Sequence, residues 1–268
     1  MTLNNSLYFY SQYYDGLPTG LCDNVRDLHN RLDAPGSDKD TENRATARNK
    51  LITDQKYQAS GTEIPLCEQS FQLVTEYPGL LIGTGYPHDL AVIGAVKMGC
   101  HFDYATGLPT IPGSTVKGLL RSYMKDYWEL VKDDLGPMPE NFIDHFFVES
   151  KAVFLDAWPI QPEESGRLFG LESITPHTVP KEYGDSRSDY EGLTEPTPLQ
   201  GLKVLPGVTY VFRFLLPDSV DGISRASLLK AFAELLVMLG AGAKTNVSFG
   251  AFNPTDDPVS ETILEAVA

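Results

Sequence analysis

Gly107-Leu-Pro-Thr-Ile-Pro-Gly-Ser-Thr-Val-Lys-Gly-Leu-Leu-Arg121 joins a Pro-Gly-Ser turn to an amphipathic segment. The spacing of its apolar residues predicts a helix over 115–132, with Ser114 as the N-cap. The first turn of a helix presents unpaired N–H groups and a partial positive charge, which suit a phosphate or another anion. We therefore predict an anion site at this turn. The residues assigned to it are Gly113, Ser114, Lys117 and Arg121.

A second glycine-rich segment, residues 240–250, reads Gly-Ala-Gly-Ala-Lys-Thr-Asn-Val-Ser-Phe-Gly. Closely spaced glycines let a backbone approach a polyanion, and successive N–H groups can form a concave anion site. No acidic residue lies between Val237 and Thr255, so the nearby sequence carries no charge that would repel an anion. The alternative is a helix C-cap followed by a plain turn. The residues that we predict to bind the polyanion are Gly240, Gly242, Lys244, Thr245 and Asn246.

The composition limits the classes of function. The chain has 268 residues and a formal net charge of −15, and such acidity disfavours a protein that captures nucleic acid by itself. Its three cysteines form no CxxC pair, which fits a reducing cytoplasm. The sequence shows neither a signal-peptide pattern nor an apolar stretch of membrane-spanning length. We therefore expect a cytoplasmic protein with no membrane partner, no metal site and no cofactor.

Hydrophobic periodicity from residue 70 onward predicts an α+β fold. The predicted strands cover 70–75, 152–158, 168–175, 209–216 and 247–252. The predicted helices are 115–132 and 226–239, the second capped by Ser224 and ended by Gly240. This order is the split βαβ pattern of ferredoxin-like and RRM-like folds, so we predict an antiparallel sheet with two main helices.

Residues 1–62 differ in composition from the rest, and we predict that they form an N-terminal extension. The aromatic cluster at 8–14 is either a contact for another subunit or part of the core. A short helical pattern follows near 23–32. The polar stretch 33–62 has few core-forming residues, so we expect an extended or mobile connector there.

The predicted α+β domain covers residues 63–255, and residues 256–268 form an acidic tail. Within the domain, residues 176–198 lack hydrophobic periodicity and form a long inserted loop. Its tyrosines would suit a thumb-like loop that stacks on nucleotides. The alternative is a disordered, solvated loop.

The two glycine-rich segments resemble the signature motifs of the RAMP superfamily (repeat-associated mysterious proteins) of CRISPR systems. Residues 77–88, 102–104 and 154–157 extend the resemblance, which covers roughly residues 70–252. It implies a non-catalytic, RRM-like subunit of the type III-B RNA-guided effector, the Cmr complex, near the 3′ end of the CRISPR RNA. Its partners would be the CRISPR RNA, the target RNA and the other Cmr subunits. The predicted polyanion is therefore RNA.

Two catalytic alternatives remain open, the first implied by the resemblance and the second by the residues. Asp89 lies in the loop before the Pro-Gly-Ser turn, where a carboxylate could support metal-dependent cleavage of RNA by a RAMP endoribonuclease. Ser114 and Lys117 match the S-x-x-K pattern of serine hydrolases, although the matching Ser-Asp-Asn and Lys-Thr-Gly motifs are missing. The pair Cys100-His101 lacks a second pair at zinc spacing and indicates a core cysteine beside a partly exposed histidine.

Overall fold

The computed structural model describes residues 4–10, 12–14, 39–57, 69–83, 92, 94–174 and 199–255. The helices within these ranges are α1 (Asn5–Tyr10), α2 (Lys39–Thr53), α3 (Gly113–Asp126), α4 (Lys132–Leu135), α5 (Phe142–Asp144) and α6 (Arg225–Leu239). The strands are β1 (Ser70–Thr75), β2 (Val96–Met98), β3 (Val153–Phe154), β4 (Trp158–Gln161), β5 (Phe169–Ile174), β6 (Leu199–Val204), β7 (Thr209–Leu215), β8 (Ser219–Val220), β9 (Ile223–Ser224) and β10 (Phe252–Pro254).

The larger sheet is antiparallel and has the strand order β10-β1-β7-β3, with β4 also paired to β7. Alternate residues of a strand point to opposite faces, so one face of β1 and β7 is aromatic. Phe71 lies opposite Phe212, with ring centroids 5.3 Å apart. Phe232 of α6 packs 5.6 Å from Phe214 on this same face. Helix α3 contacts both α6 and β3, so two helices cover the aromatic face.

A smaller sheet has the order β2-β6-β5, in which β5 and β6 are antiparallel and β2 and β6 are parallel. Helix α2 packs against β5. The hairpin of β8 and β9 leads directly into α6. The chain therefore has a mixed α+β fold built mainly from antiparallel pairs, as the sequence predicts.

The N-terminal aromatic cluster belongs to the core. Phe9 and Tyr13 are fully buried, and they join the same apolar cluster that holds the sheet residues. The Tyr13 hydroxyl donates to Asn49 Oδ1 (2.6 Å) and accepts from the N–H of Val96 (2.9 Å). This hydroxyl thereby ties the N-terminal segment to α2 and β2. For Phe9 and Tyr13, the core interpretation of the aromatic cluster is confirmed.

The expected extended connector over 33–62 is wrong for residues 39–53, which form α2. An acidic first turn and the pair of Asp40 with Arg44 one turn later favour this helix. Its buried residues are Ala45, Asn49 and Ile52. They form a narrow stripe, which a count of the apolar residues in the sequence does not reveal. The helix predicted near 23–32 lies outside the described residues.

The helix predicted over 115–132 is shorter than expected. It begins at Gly113 and ends at Asp126, because Tyr127 leaves helical geometry (φ −129°, ψ 28°). The N-cap is Pro112 and has no side-chain hydrogen bond, so the assignment of Ser114 as the cap is wrong. A proline at this position offers no N–H and fixes its own φ, which starts the helix without a capping side chain.

Most predicted strands are found, with bounds within a few residues of those expected. Two predicted strands have a different structure. The strand expected over 152–158 is split into β3 and β4 by a bend at residues 155–157. The strand expected over 247–252 begins only at Phe252, after a single 3₁₀ turn at Thr245–Val247. Helix α6, its Ser224 cap and its Gly240 end are confirmed; the Ser224 hydroxyl accepts from the N–H of Ser227.

We expect the substitution Tyr13→Phe to lower the free energy of unfolding by about 1–3 kcal/mol, because it removes one partner from each of two buried polar groups. Chemical denaturation measures this change. Tyr77→Phe is the matched control, since the Tyr77 ring is exposed. The control should shift the free energy of unfolding by less than about 0.5 kcal/mol. Equal effects of the two substitutions would contradict the buried link.

Candidate nucleic-acid interface

The start of α3 already holds an anion from the chain itself. The N–H of Gly113 donates to Asp156 Oδ1 at 2.7 Å. A Cβ on Gly113 would lie 2.2 Å from the carbonyl oxygen of Phe154, so the turn fits closely against the bend between β3 and β4. The expectation that the Gly113 amide is unpaired is therefore corrected. A contact of Gly113 with RNA stays a prediction, and it would require the phosphate to displace Asp156.

The side chains of Lys117 and Arg121 follow along α3, one turn apart. The Lys117 ammonium lies 5.9 Å from the centre of the Phe154 ring. The Arg121 guanidinium lies 3.3 Å from Asp144 Oδ1, and both partners are exposed. Exposed ion pairs contribute little stability, so Arg121 can exchange Asp144 for another anion at small cost. Ser114, at the start of the same helix, is also exposed.

The C-terminal glycine-rich segment is a closed loop. The N–H of Ala241 donates to the carbonyl of Gly250 at 2.9 Å and joins the two ends. Gly250 has a φ of +72°, and a Cβ there would lie 1.7 Å from the Ala241 carbonyl oxygen. Only glycine fits this closure, because any side chain would collide with backbone as well as strain φ.

This loop is seated on residues 79–81, which lie far away in the sequence. The N–H of Ala243 donates to the carbonyl of Leu81, and the N–H of Gly250 donates to the carbonyl of Gly79, each at 2.8 Å. A Cβ on Gly242 would lie 2.6 Å from the Leu81 carbonyl oxygen. The structure thus joins the loop to a segment that the sequence gives no reason to connect with it.

The outer part of the loop is open to solvent and rich in amides. Gly242, Lys244 and Asn246 are exposed, and Thr245 is half-buried. Lys244 has a φ of 60°, which turns the chain sharply at this point. Within the described ranges, no backbone acceptor is found for the N–H groups of these four residues. The loop can therefore offer several amide donors and one ammonium group to the same anion.

The two predicted anion sites do not meet directly. The Tyr123 hydroxyl donates to the carbonyl of Gly240 at 3.0 Å, which fixes the loop to the C-terminal end of α3. Burial, with Tyr127 nearby, raises the pKa of Tyr123, so its hydroxyl stays protonated and remains a donor. Gly113 lies ten residues earlier on α3. At about 1.5 Å per residue, this places the Pro-Gly-Ser turn roughly 15 Å from the loop contact.

The other candidate residues have less support. Among the described residues, Ser114 and Lys117 share no hydrogen bond, and a serine nucleophile needs its base within hydrogen-bond reach. Asp89, residues 176–198 and residues 256–268 lie outside the described residues. Burial raises the pKa of the Cys100 thiol to about 12, and the thiol donates to the carbonyl of Leu202. The interpretation of Cys100 as a core cysteine is confirmed.

The sequence did not identify two of the side chains that shape these sites. Asp156 occupies the start of α3, and Tyr123 fixes the loop. Asp156 lies in the segment 154–157 that carries part of the family resemblance, but its spacing from Gly113 gives no signal. Tyr123 fits the apolar face of α3, so its hydroxyl contact could be found only from coordinates.

Comparison with known proteins agrees with the resemblance of the motifs. The model of the RAMP superfamily matches residues 72–253. The chain therefore belongs to the RAMP superfamily. It is 32% identical over 154 residues to the CRISPR system CMR subunit Cmr6 of Saccharolobus solfataricus. That match covers 58% of this chain and 48% of the curated relative, so the chain spans about half the length of that protein.

One solved structure shares the fold. A chain in the cryo-EM structure of the type III-B Cmr-beta bound to cognate target RNA superposes with a TM-score of 0.59 at 20% identity. The superposition covers 94% of this chain and 88% of that chain. The crystal structure of Cmr6 from Pyrococcus furiosus gives a TM-score of 0.36 at 18% identity, over 69% of this chain and 97% of that one. The second TM-score is too low to support an argument.

A search of the described helices for a membrane span gives a negative result: none of them combines the length and the apolar character that crossing a bilayer requires.

We expect Gly250→Ala to destabilise the protein more than Gly222→Ala. Both glycines have a positive φ, but a Cβ on Gly222 meets nothing within 4 Å. Gly222→Ala should therefore cost only the left-handed strain, about 1–2 kcal/mol. Gly250→Ala adds a collision with backbone and should lower the free energy of unfolding at least twice as much, as thermal or chemical denaturation would show. Similar losses for both variants would contradict the tight closure of the loop.

Proposed function

We propose that this chain is a non-catalytic, RNA-binding structural subunit of a type III-B CRISPR RNA-guided effector, the Cmr complex, in antiviral defence. Membership of the RAMP superfamily and the 32% identity to Cmr6 support this assignment. The single observation that carries the RNA-binding role is the exposed outer part of the loop 240–250, where amide donors and Lys244 face solvent with no acidic residue in the segment. We place the subunit near the 3′ end of the CRISPR RNA, as the resemblance implies.

The proposed contact holds the RNA backbone. Main-chain amides and a lysine recognise phosphate by charge and geometry, and they do not read bases. Gly242, Lys244, Thr245 and Asn246 would form the contact. Gly240, predicted to belong to the same site, is buried, and its N–H donates to the carbonyl of Leu236, so it holds the base of the loop instead. The seat on residues 79–81 keeps the loop in place before RNA arrives, so little ordering entropy is lost on binding.

A second contact would lie along α3, through Lys117 and Arg121 with Gly113 and Ser114. Gly113 and the Tyr123 contact of the loop lie toward opposite ends of α3, so one RNA strand would have to run along this helix to meet both the Pro-Gly-Ser turn and the loop. The Lys117 side chain is half-buried on Phe154, and Arg121 is exposed. We therefore rank Arg121 above Lys117 as a phosphate contact.

The acidity of the chain fits a subunit that works inside an assembly. With a net charge of −15, the free protein would repel RNA except at local sites such as the loop. Within a complex, acidic surfaces can instead face basic neighbouring subunits and orient the assembly. The CRISPR RNA, the target RNA and the other Cmr subunits are thus the proposed partners.

We also interpret the larger sheet as a ferredoxin-like or RRM-like sheet. The strands β1, β3 with β4, β7 and β10 follow each other in the chain, with α3 after the first and α6 after the third. Their spatial order, β10-β1-β7-β3, supports the split βαβ arrangement. The TM-score of 0.59 to a chain of the Cmr-beta structure supports a shared fold.

We expect Lys244→Gln to weaken binding of guide RNA in the purified complex and to reduce the salt dependence of the binding constant by about 0.7 on a log–log plot, because one phosphate contact is lost. Glutamine keeps a long side chain without the charge. Filter binding or crosslinking at several salt concentrations measures both effects.

Lys50→Gln is the control, since Lys50 is equally an exposed lysine but lies on α2, which packs against β5. The pair Lys117→Ala and Arg121→Ala tests the second contact in the same assay. A Lys244→Gln complex with the salt dependence of the Lys50→Gln complex would overturn the RNA-binding role of the loop.

We expect an Asp89→Ala complex to cut target RNA at the rate of the unmodified complex, because the proposed role is structural. Single-turnover cleavage of labelled target RNA measures the rate. A loss of cleavage by 100-fold or more, the order expected for removal of a group that acts on the reacting atoms, would support the endoribonuclease alternative instead.

A further inference from the structure

A short hairpin before α3 presents an exposed aromatic side chain. Phe102 and Pro109 pair across its base, and Tyr104 lies at its tip. The Tyr104 side chain is 88% exposed, more than any other large apolar or aromatic residue described. A large aromatic residue in water loses its hydrophobic contribution to folding, so a role in the folded core does not explain it.

The tip is rigid in spite of its exposure. The Asp103 carboxylate accepts from both the N–H and the hydroxyl of Thr106, each at 2.7 Å. The N–H of Gly107 donates to the Asp103 carbonyl at 2.8 Å, and the N–H of Asp103 donates to the Leu108 carbonyl at 2.8 Å. These bonds fix the turn that carries Tyr104, so its backbone is ordered before any partner binds.

Asn4, the residue before helix α1, braces the same tip, and the helix adds a second apolar side chain. Asn4 Nδ2 donates to the carbonyls of Tyr104 and Ala105 at 3.2 and 3.1 Å. Asn4 Oδ1 accepts from the N–H of Leu7, whose side chain is 54% exposed. Leu7 and Tyr104 therefore flank one asparagine and form a small apolar surface, which we call the Tyr104 surface.

Charged side chains are nearly absent from the two stretches of chain that carry this surface. Residues 1–14 contain no Asp, Glu, Lys or Arg, in a chain that carries 57 such residues. Residues 99–112 contain Asp103 and His101 but no Glu, Lys or Arg, and the Asp103 carboxylate is engaged by Thr106. These two stretches therefore supply no lysine or arginine to hold a phosphate, in contrast to the loop 240–250.

We propose that the Tyr104 surface is a docking site for a neighbouring protein subunit, with the Tyr104 ring entering an apolar pocket of that partner. The inference rests on the proposed membership of a multi-subunit effector. Charged residues are depleted and tyrosine is enriched at the centres of protein interfaces, where one aromatic anchor carries much of the affinity. Its braced backbone reduces the entropy lost on docking. RNA is the less suitable occupant, because stacking proteins combine aromatic rings with a positively charged groove.

The test titrates the chain into the effector assembled without it, and compares the unmodified chain with Tyr104→Ala. We expect Tyr104→Ala to weaken binding about 30-fold or more, the loss typical of an interface anchor. Tyr104→Phe keeps the ring and should remain within about threefold. Thr106→Ala keeps Tyr104 but removes one brace, and it should weaken binding several-fold. Tyr77→Ala is the matched control, because that tyrosine is also highly exposed, at 82%, but lies beside the glycine-rich loop.

The outcomes separate the inference from the proposed function. An unmodified chain that does not join the effector overturns both. If the unmodified chain joins the effector, two results would overturn the docking role alone. In the first, Tyr104→Ala binds as well as the unmodified chain; in the second, it binds no worse than Tyr77→Ala. RNA crosslinking is measured on the same variants. A Tyr104→Ala chain that binds the effector normally but loses crosslinks to RNA would also overturn the inference and would assign the ring to base stacking.

Discussion

The close main-chain contact between residues 240–250 and residues 79–81 is the constraint on which the proposed site depends. Two amide-to-carbonyl bonds join the segments, and Gly242 and Gly250 permit an approach that a Cβ would prevent. The outer turn at Lys244 lies beyond this contact and is exposed, and no backbone acceptor is found among the described residues for the N–H groups of Lys244, Thr245 and Asn246. Backbone packing, and not a charged side chain, therefore shapes the anion site.

The start of α3 has a sequence pattern similar to that of the loop, but its glycine amide is used within the fold. Both segments carry glycines next to cations, and both were expected to offer free amides. At Gly113 the chain supplies Asp156, whose carboxylate takes the amide and holds the bend between β3 and β4 against the helix. The anion-binding property of the turn is thus used for folding. At the C-terminal loop the same property remains open to solvent, which is why the loop carries the proposed function.

The sequence predicted the parts of the fold that are governed by local patterns. Strand β1 alternates clearly, and α6 has both a capping serine and a terminating glycine, so their existence and bounds follow from short-range physics. Helix α2 was missed because its buried side is only a narrow stripe in a polar sequence. The seating of the loop on residues 79–81 depends on contacts between distant segments. Such contacts have no periodic signature, so the glycines marked the site without revealing its partner.

The surface of the molecule has regions whose chemistry suits different binding partners. A net charge of −15 makes most of the surface unfavourable for RNA, so binding must be confined to places where amides or cations are exposed. The loop at Lys244 meets that condition. The Tyr104 surface meets the opposite one, since its two stretches of chain carry no lysine or arginine and the N–H groups of Asp103, Thr106 and Gly107 are bonded within the turn. In the proposed RNA-guided assembly, an acidic subunit would need both kinds of region, because its neighbours would have to supply the attraction to RNA that the chain itself lacks. The braced aromatic tip is therefore a physical counterpart of the amide-rich loop: one would hold the subunit in the assembly, and the other would let it touch the RNA there.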